Sequence, residues 1–391
     1  MKKLLLSLAL ILVTVTASGC MESLKSLLEQ PSPVYNEIKA ELDSSTVHPL
    51  YASLSDQGKT LYVKLCEAIE TFDGERILVA ACESQEQCKQ AEQEFARMFR
   101  HMVYEQPAYF WLNPFRYETV TVGRTGYYRL YVKLCYIMDE EEANAKSRTF
   151  ESAVQRIVDG TNAQQTTFDK VRYVHDAILS STVYDYALAE DNTVAGTGRN
   201  AYGCLVDGKT VCSGYAMSFN LILQRLGIPC GAEFDHEEGT LTNGHVWSYC
   251  TLDGENYYFD LTWNDTVFDS EEYKPYLDYS YTYFGITGQE LAQSHDTWDD
   301  PLTPECNGTA YNYYVYNGWS LPEYTREAAV QVLQSQESNS YYVLRLDSPE
   351  DLERAQKDLI GNQKIFDLFP DLESITYVTL DTNLHLYIFP E

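Results

Sequence analysis

The chain has 391 residues, and its 28 Lys and Arg against 58 Asp and Glu give a formal net charge of −30. Hydrophobic residues make up 45% and charged residues 22%, which is ordinary globular usage and excludes collagen, a coiled coil and wholesale disorder. A surface this acidic repels nucleic-acid phosphates, so we expect no nucleic-acid partner. The length corresponds to two or three domains.

The first residues have the pattern of an export signal. Two lysines precede an apolar stretch that ends near Thr16 and is too short to span a bilayer. Small residues then lead to Gly19 and Cys20, an ending that resembles the lipobox of bacterial lipoproteins. This resemblance implies a signal peptide over residues 1–19, lipidation of Cys20, and an extracytoplasmic protein that is lipid-anchored to the bacterial cell membrane. A plain cleavage site with an incidental cysteine is the alternative.

The rest of the chain divides into four segments. Residues 20–50 carry the cysteine and a proline-containing polar stretch, which predicts a tether. We expect an N-terminal α+β domain over 51–145, a central domain over 146–300 and a C-terminal α+β accessory domain over 301–391. The fold class is therefore α+β.

Apolar periodicity predicts the elements that precede the candidate site. The helix over 166–179 places His175 on an apolar stripe, where we expect a packed, hydrogen-bonded histidine rather than a catalytic one. In chain order, the predicted elements are a helix over 54–69, a strand over 77–80, a helix over 84–102, a hairpin of strands 117–122 and 127–138, and helices over 140–159 and 166–179.

Cys212 lies where a buried helix is predicted to begin. The apolar pattern that follows it runs to Gly227, which stops the helix. Unpaired backbone N–H groups and the helix dipole at this end favour a thiolate, which is the nucleophilic form of cysteine. The same N–H groups can donate to an oxyanion on an attacked acyl group. The alternative is a buried, inert cysteine.

His245 and Asp260 lie on two strands that an Asp-Gly turn joins. Asp253 and Gly254 predict a tight hairpin turn, and with these two at its centre Trp247 opposes Asp260. His245 is then the diagonal neighbour of Asp260 on the same face, within reach of a carboxylate. A turn one residue longer or shorter would separate them. With this register, Asp260 holds one ring nitrogen of His245 and leaves the other for a thiol.

The C-terminal segment shows helical and strand patterns without a chemical motif. Ser348, Pro349 and Asp351 predict a helix N-terminus. Before this segment, His295 with Asp296, Asp299 and Asp300 could make a metal cluster, but we favour a surface loop. The predicted elements are a helix over 326–336, a strand over 341–346, a helix over 349–361, and strands over 375–380 and 385–389.

The segments VCSGYA, GHVWSY and YYFDLTWND resemble the transglutaminase-like superfamily, which has a papain-related fold with a Cys-His-Asp triad. The resemblance covers roughly residues 165–300, and Cys212, His245 and Asp260 match the three triad positions in chain order. It implies a helix bearing the cysteine packed on an antiparallel sheet bearing the histidine and the aspartate. It also implies an acyl-enzyme reaction on peptide or glutamine-type amides.

These inferences predict a cell-surface cysteine peptidase or amidase that acts on a peptide or protein substrate, including one associated with the cell wall. The alternatives are a protein-cross-linking transglutaminase with an amine acceptor, and a non-catalytic module that binds peptides or glycans. We expect no cofactor. We also expect no metal site, because the chain has neither the CxxC pairs nor the HExxH motif typical of zinc sites. Nine cysteines follow Cys20, and the sequence does not fix their pairing, although Cys82 and Cys88 are one candidate pair.

Overall fold

A computed structural model describes residues 31–124, 126–191, 194–235, 244–266, 277–296, 300–336 and 340–390. The fold is α+β, as predicted. The chain divides into one compact unit that ends at Ser44 and a second that covers Ser45–Glu391. The predicted signal peptide and Cys20 lie outside the described residues.

The first unit contains one described helix, α1 (Pro33–Ser44), whose buried side chains are Tyr35, Ile38 and Leu42. The Ser32 hydroxyl accepts a hydrogen bond from the Tyr35 backbone N–H at 3.0 Å and so satisfies one free donor at the helix start. This helix falls within the segment that we predicted as a tether, so the tether prediction missed an ordered, partly buried element.

The second unit begins with a three-stranded antiparallel sheet of order β1-β3-β2 and the helices around it. The predicted helices, strand and hairpin are all confirmed, and Cys82 forms a disulfide with Cys88. The elements are α2 (Pro49–Ser53), α3 (Asp56–Glu70), β1 (Ile77–Cys82), α4 (Gln85–Glu105), β2 (Leu112–Arg124), β3 (Tyr127–Tyr136), α5 (Glu140–Gly160) and α6 (Thr167–Leu179).

A four-stranded antiparallel sheet, of order β6-β7-β8-β9, follows in the middle of the chain. The helix that starts at Cys212 packs against β7 of this sheet and against α4 and α6, and most of its residues are buried. The elements are β4 (Val183–Tyr184), α7 (Tyr186–Glu190), β5 (Lys209–Thr210), α8 (Cys212–Arg225), β6 (Cys230–Phe234), β7 (Val246–Leu252), β8 (Glu255–Phe259), α9 (Leu261–Thr266), β9 (Phe284–Ile286) and α10 (Gly288–Leu291).

The C-terminal segment forms a second four-stranded sheet, of order β10-β11-β13-β12. The Ser348 hydroxyl accepts a hydrogen bond from the Asp351 backbone N–H, which confirms the predicted helix start. The elements are α11 (Tyr313–Tyr316), β10 (Ser320–Leu321), α12 (Arg326–Gln334), β11 (Tyr342–Leu346), α13 (Pro349–Ala355), α14 (Lys364–Leu368), β12 (Ile375–Leu380) and β13 (His385–Pro390).

The three larger sheets fall within the three predicted domains, but residues 45–391 form one compact unit, so the domain boundaries stay a prediction. Over the ranges given above, no helix is long and apolar enough to cross a membrane.

Candidate active site

Cys212 is the first residue of α8, as predicted, and its side chain is half-buried. The N-cap residue, Val211, has extended backbone and makes no side-chain hydrogen bond to the helix, so the first N–H groups of α8 have no cap from that side chain. The start of α8 packs closely against the residues before it. A Cβ atom added to Gly214 would lie only 1.8 Å from the Thr210 hydroxyl and 2.9 Å from the Asn200 carbonyl oxygen. Glycine therefore lets α8 approach the segments before it.

The β7–β8 hairpin has the predicted register. Asp253 and Gly254 have φ angles of +52° and +86°, which fit the central residues of a type I′ turn. Ser248 pairs with Phe259, so opposed residue numbers sum to 507 as expected. The strands stop there: His245 precedes β7 by one residue and Asp260 follows β8 by one.

The His245 imidazole and the Asp260 carboxylate form a hydrogen bond, with Nε2 and Oδ2 2.5 Å apart. An ionised carboxylate only accepts, so Nε2 carries the hydrogen and Nδ1 is left for another partner. The Cys212 side chain acts on the same imidazole, because it is among the groups that raise the pKa of His245. Asp235 fixes the backbone of His245 from both sides, because its carboxylate accepts from the His245 N–H and its own N–H donates to the His245 carbonyl oxygen at 3.1 Å.

Burial and opposite charge act against each other in this pair. Burial disfavours the imidazolium, but the Asp260 carboxylate and the Cys212 side chain outweigh it and hold the pKa of His245 well above its ordinary value. Burial also disfavours the carboxylate, but His245 and His295 together hold the pKa of Asp260 well below its usual range. The site therefore favours an ionised carboxylate beside an imidazolium, which is the partner that a thiolate requires.

His295 is a site residue that sequence reasoning missed. We placed it on a surface loop, but its side chain is 1% exposed and its Nε2 atom lies 3.0 Å from Oδ2 of Asp260, the same oxygen that His245 contacts. Asp300 is also buried and pairs with His101 at 3.0 Å, so the surface-loop prediction is wrong for both residues. Asp296 is exposed, and Asp299 lies outside the described residues. No sequence motif marks His295, which lies 35 residues after Asp260.

A family model of the transglutaminase-like superfamily matches residues 152–261. Residues 152–261 form a transglutaminase-like core. This range contains Cys212, His245 and Asp260, and it ends before His295. No curated protein matches the chain in sequence.

Several solved structures resemble part of this chain at low identity. A crystal structure of a TGase is 16% identical, covers 37% of this chain and 44% of its own, and has a TM-score of 0.25. A provisionally assigned cysteine protease from Cytophaga hutchinsonii is 11% identical, with coverage of 38% and 62% and a TM-score of 0.24. A provisionally assigned protease from Parabacteroides distasonis is 14% identical, with coverage of 38% and 36% and a TM-score of 0.23. The chain thus spans less than half the length of that TGase.

His175 is fully buried and hydrogen-bonded, which confirms the expectation for it. Its Nδ1 atom lies 2.9 Å from the Asp176 carboxylate, and its Nε2 atom lies 3.0 Å from the side-chain nitrogen of Asn264. The backbone N–H of Asn264 donates to the Asp260 carbonyl oxygen at 3.1 Å. His175 therefore supports α9, the short helix after Asp260, and is not part of the reacting group.

The three residues His245, Asp260 and His295 offer ligand atoms within 4.8 Å of one another, a spacing at which a metal ion could be held. Zinc bonds of 2.0–2.2 Å in a tetrahedron would place neighbouring ligand atoms about 3.4 Å apart. The 2.5 Å contact between His245 and Asp260 is much shorter and has the length of a charge-assisted hydrogen bond. The observed geometry therefore fits a shared proton better than a shared metal ion.

Proposed function

We propose that the chain is a thiol-dependent amide hydrolase, a cysteine peptidase or amidase that works through an acyl-enzyme on Cys212. One observation carries the proposal: the His245 imidazole is hydrogen-bonded to the Asp260 carboxylate and also interacts with the Cys212 side chain, and the three residues lie at the start of a helix and at the ends of two strands. This is the arrangement of nucleophile, base and orienting acid that acyl transfer requires.

The first half of the reaction transfers the acyl group to the enzyme. The Cys212 thiolate attacks the carbonyl carbon of a peptide or glutamine-type amide and forms a C–S bond, while the carbonyl electrons move to oxygen. The backbone N–H groups at the start of α8 can donate to that oxyanion. The tetrahedral species then collapses, the C–N bond breaks, and the His245 imidazolium gives its proton to the departing amine.

The second half returns the enzyme to its starting state. Neutral His245 takes a proton from water as the water oxygen attacks the thioester carbonyl, and the C–S bond breaks to release the acid and the Cys212 thiolate. An amine in place of water would give a new amide, which is the reaction of a cross-linking transglutaminase. We favour water because it is the default acceptor and the described residues show no dedicated amine site.

We further propose that the protein is exported and lipid-anchored through Cys20. The export signal and lipobox-like ending support this, and so does the disulfide between Cys82 and Cys88, since disulfides persist mainly in oxidising compartments. The substrate would then be a peptide or protein outside the cytoplasm.

The decisive experiment is detection of the acyl-enzyme. Incubation of the mature protein with a peptide mixture, followed by acid quench and intact-mass measurement, should give an adduct that maps to Cys212. The Cys212→Ala variant should give no adduct and no cleavage. The matched control is Cys135→Ala, which removes a half-buried thiol from β3 and should leave the adduct intact. A wild-type protein that binds peptides but never forms the adduct would favour the binding-module alternative, and amine incorporation without cleavage would favour the transglutaminase.

A further inference from the structure

We propose that His295 is a positioning residue for the candidate triad, which holds the Asp260 carboxylate in line with His245 through a second imidazole hydrogen bond. This inference rests on the proposed thiol chemistry of Cys212. It adds a residue that lies beyond the matched family segment and that no triad position assigns.

Both imidazoles meet the same carboxylate oxygen. Nε2 of His245 lies 2.5 Å from Oδ2 of Asp260, and Nε2 of His295 lies 3.0 Å from it. The other oxygen, Oδ1, accepts from the backbone N–H of Trp263 at 3.1 Å. The carboxylate is 1% exposed, so these three donors replace the water that it gave up on burial. Loss of any one donor would leave the buried carboxylate with too few hydrogen bonds and with more freedom to rotate.

His295 is itself held firmly enough to act as an anchor. Its Nδ1 atom lies 2.9 Å from the Ser294 hydroxyl, and its backbone N–H donates to the Leu291 carbonyl oxygen at 3.0 Å. Its ring centroid lies 4.1 Å from Trp263 and 4.8 Å from Trp247. A carboxylate only accepts, so Nε2 of His295 carries a hydrogen in either charge state of the ring, and the contact to Asp260 does not depend on which state is present.

The loop that carries His295 is fixed by a second set of contacts. Thr287 and Glu290 form a capping box at the start of α10, and the Glu290 carboxylate also accepts from Arg345 of β11 at 2.7 Å. The loop is therefore tied to the C-terminal sheet on one side and to Asp260 on the other. A rigid imidazole that donates to one carboxylate oxygen restricts rotation of that carboxylate, and so it fixes the direction from which Asp260 holds His245.

The test uses alkylation of Cys212, which needs no knowledge of the natural substrate. Iodoacetamide rate constants at Cys212 are measured by peptide mass spectrometry on the full mature chain for wild type, His295→Phe and His295→Gln. A misdirected His245 supports the thiolate less well, so we expect His295→Phe to lower the neutral-pH rate by about 10- to 100-fold. His295→Gln keeps an N–H donor at the end of the side chain and should recover most of the rate.

A double-mutant cycle separates positioning from general support of the fold. If His295 acts through Asp260, then His295→Phe should cause no further loss when Asp260→Asn is already present. The matched control is His101→Phe, which breaks a buried histidine–aspartate contact of the same 3.0 Å length at Asp300 and should leave Cys212 alkylation at the wild-type rate.

Two results would overturn the proposal: a wild-type alkylation rate in folded His295→Phe, or an equal loss in the presence and absence of Asp260→Asn. If His295→Phe does not fold, a rate for His295→Gln as low as that of Asp260→Asn would also reject it. Failure of the proposed function looks different, because Cys212 would then alkylate rapidly and depend on His295 while no amide is cleaved.

Discussion

The side-chain nitrogen of Asn264 lies 3.0 Å from Nε2 of His175, so a helix that precedes the nucleophile is joined to the short helix that follows Asp260. The other end of the Asn264 amide accepts from the backbone N–H of Tyr283 at 2.8 Å and from the Ser280 hydroxyl at 3.3 Å. Asn264 is fully buried. One amide therefore connects three segments of the chain beneath the candidate site.

Asn264→Ala should destabilise the protein by about 3 kcal/mol, because it leaves a buried N–H and a buried imidazole without partners. Urea unfolding followed by circular dichroism measures the change. Asn256→Ala provides the comparison, since the Asn256 amide is only part-buried and its side-chain N–H bond to Glu305 is exposed, and we expect a cost of about 1 kcal/mol or less. Equal losses in the two variants would contradict the role assigned to Asn264.

Asp260→Asn should keep the fold and lower amide turnover by at least about 100-fold, because an amide cannot supply the negative charge that holds His245 protonated and oriented. Turnover of a peptide found in the acyl-enzyme experiment gives the rate. Asp300→Asn removes a buried carboxylate that pairs with His101 instead and should retain most of the activity. Full activity in Asp260→Asn would show that the carboxylate does not orient the base.

Glu233→Gln should change how stability depends on pH. Burial raises the pKa of Glu233 to about 7 from its ordinary value of 4.5. A raised carboxyl pKa means that the stabilising contribution is complete below about pH 4.5 and is lost as pH rises through about 7. Above about pH 7, this loss lowers the free energy of unfolding by about 3 kcal/mol. Glutamine stays neutral, so relative to wild type the variant should gain stability between pH 5 and pH 8.

Urea unfolding at both pH values tests this expectation, with Glu353→Gln as the control because Glu353 is exposed. The free energy of unfolding should depend less on pH in Glu233→Gln than in wild type. Some dependence should remain, since burial also raises the pKa of Glu105 to about 7. A stability difference between wild type and Glu233→Gln that is constant with pH would show that Glu233 does not titrate in this range.

Cys20→Ser should release the protein from the membrane fraction of a bacterial expression host, because the thiol that would carry the lipid is lost. Fractionation and immunoblotting give the distribution, and mass spectrometry of the wild-type N-terminus identifies the modification. Cys135→Ser is the control for a generic effect of thiol removal. Retention of Cys20→Ser in the membrane, together with an unmodified wild-type Cys20, would reject the anchor.

The sequence predicted the hairpin and the placement of Cys212 because both depend on local rules. Asp253-Gly254 can adopt the two positive φ angles of a tight turn, and this choice alone sets which side chains face each other. Cys212 begins a helix because an extended residue precedes it and an apolar period follows. Each inference needed only a short window of the chain.

His295 could not be predicted in this way. Its relation to Asp260 depends on the path of the chain through residues 261–294, which includes β9 and α10. Nothing local distinguishes a histidine that turns inward from one on a surface loop. The helix over 33–44 was missed for another reason: the tether prediction rested on the prolines and polar residues of this segment, whereas the helix is stabilised by the apolar period of Tyr35, Ile38 and Leu42.

Contacts made by the C-terminal segment limit how far the chain can be shortened without disturbing the site. Tyr313 stacks on Tyr281 with centroids 3.7 Å apart, and the hydroxyl groups of Thr282 and Tyr387 lie 3.2 Å from each other. A fragment truncated at residue 300 would keep Cys212, yet it would expose the aromatic face that Tyr313 covers. It would also release the loop that Arg345 restrains. The C-terminal segment therefore supports the site through contacts in the folded protein, and any fragment prepared for assay or crystallisation should retain it.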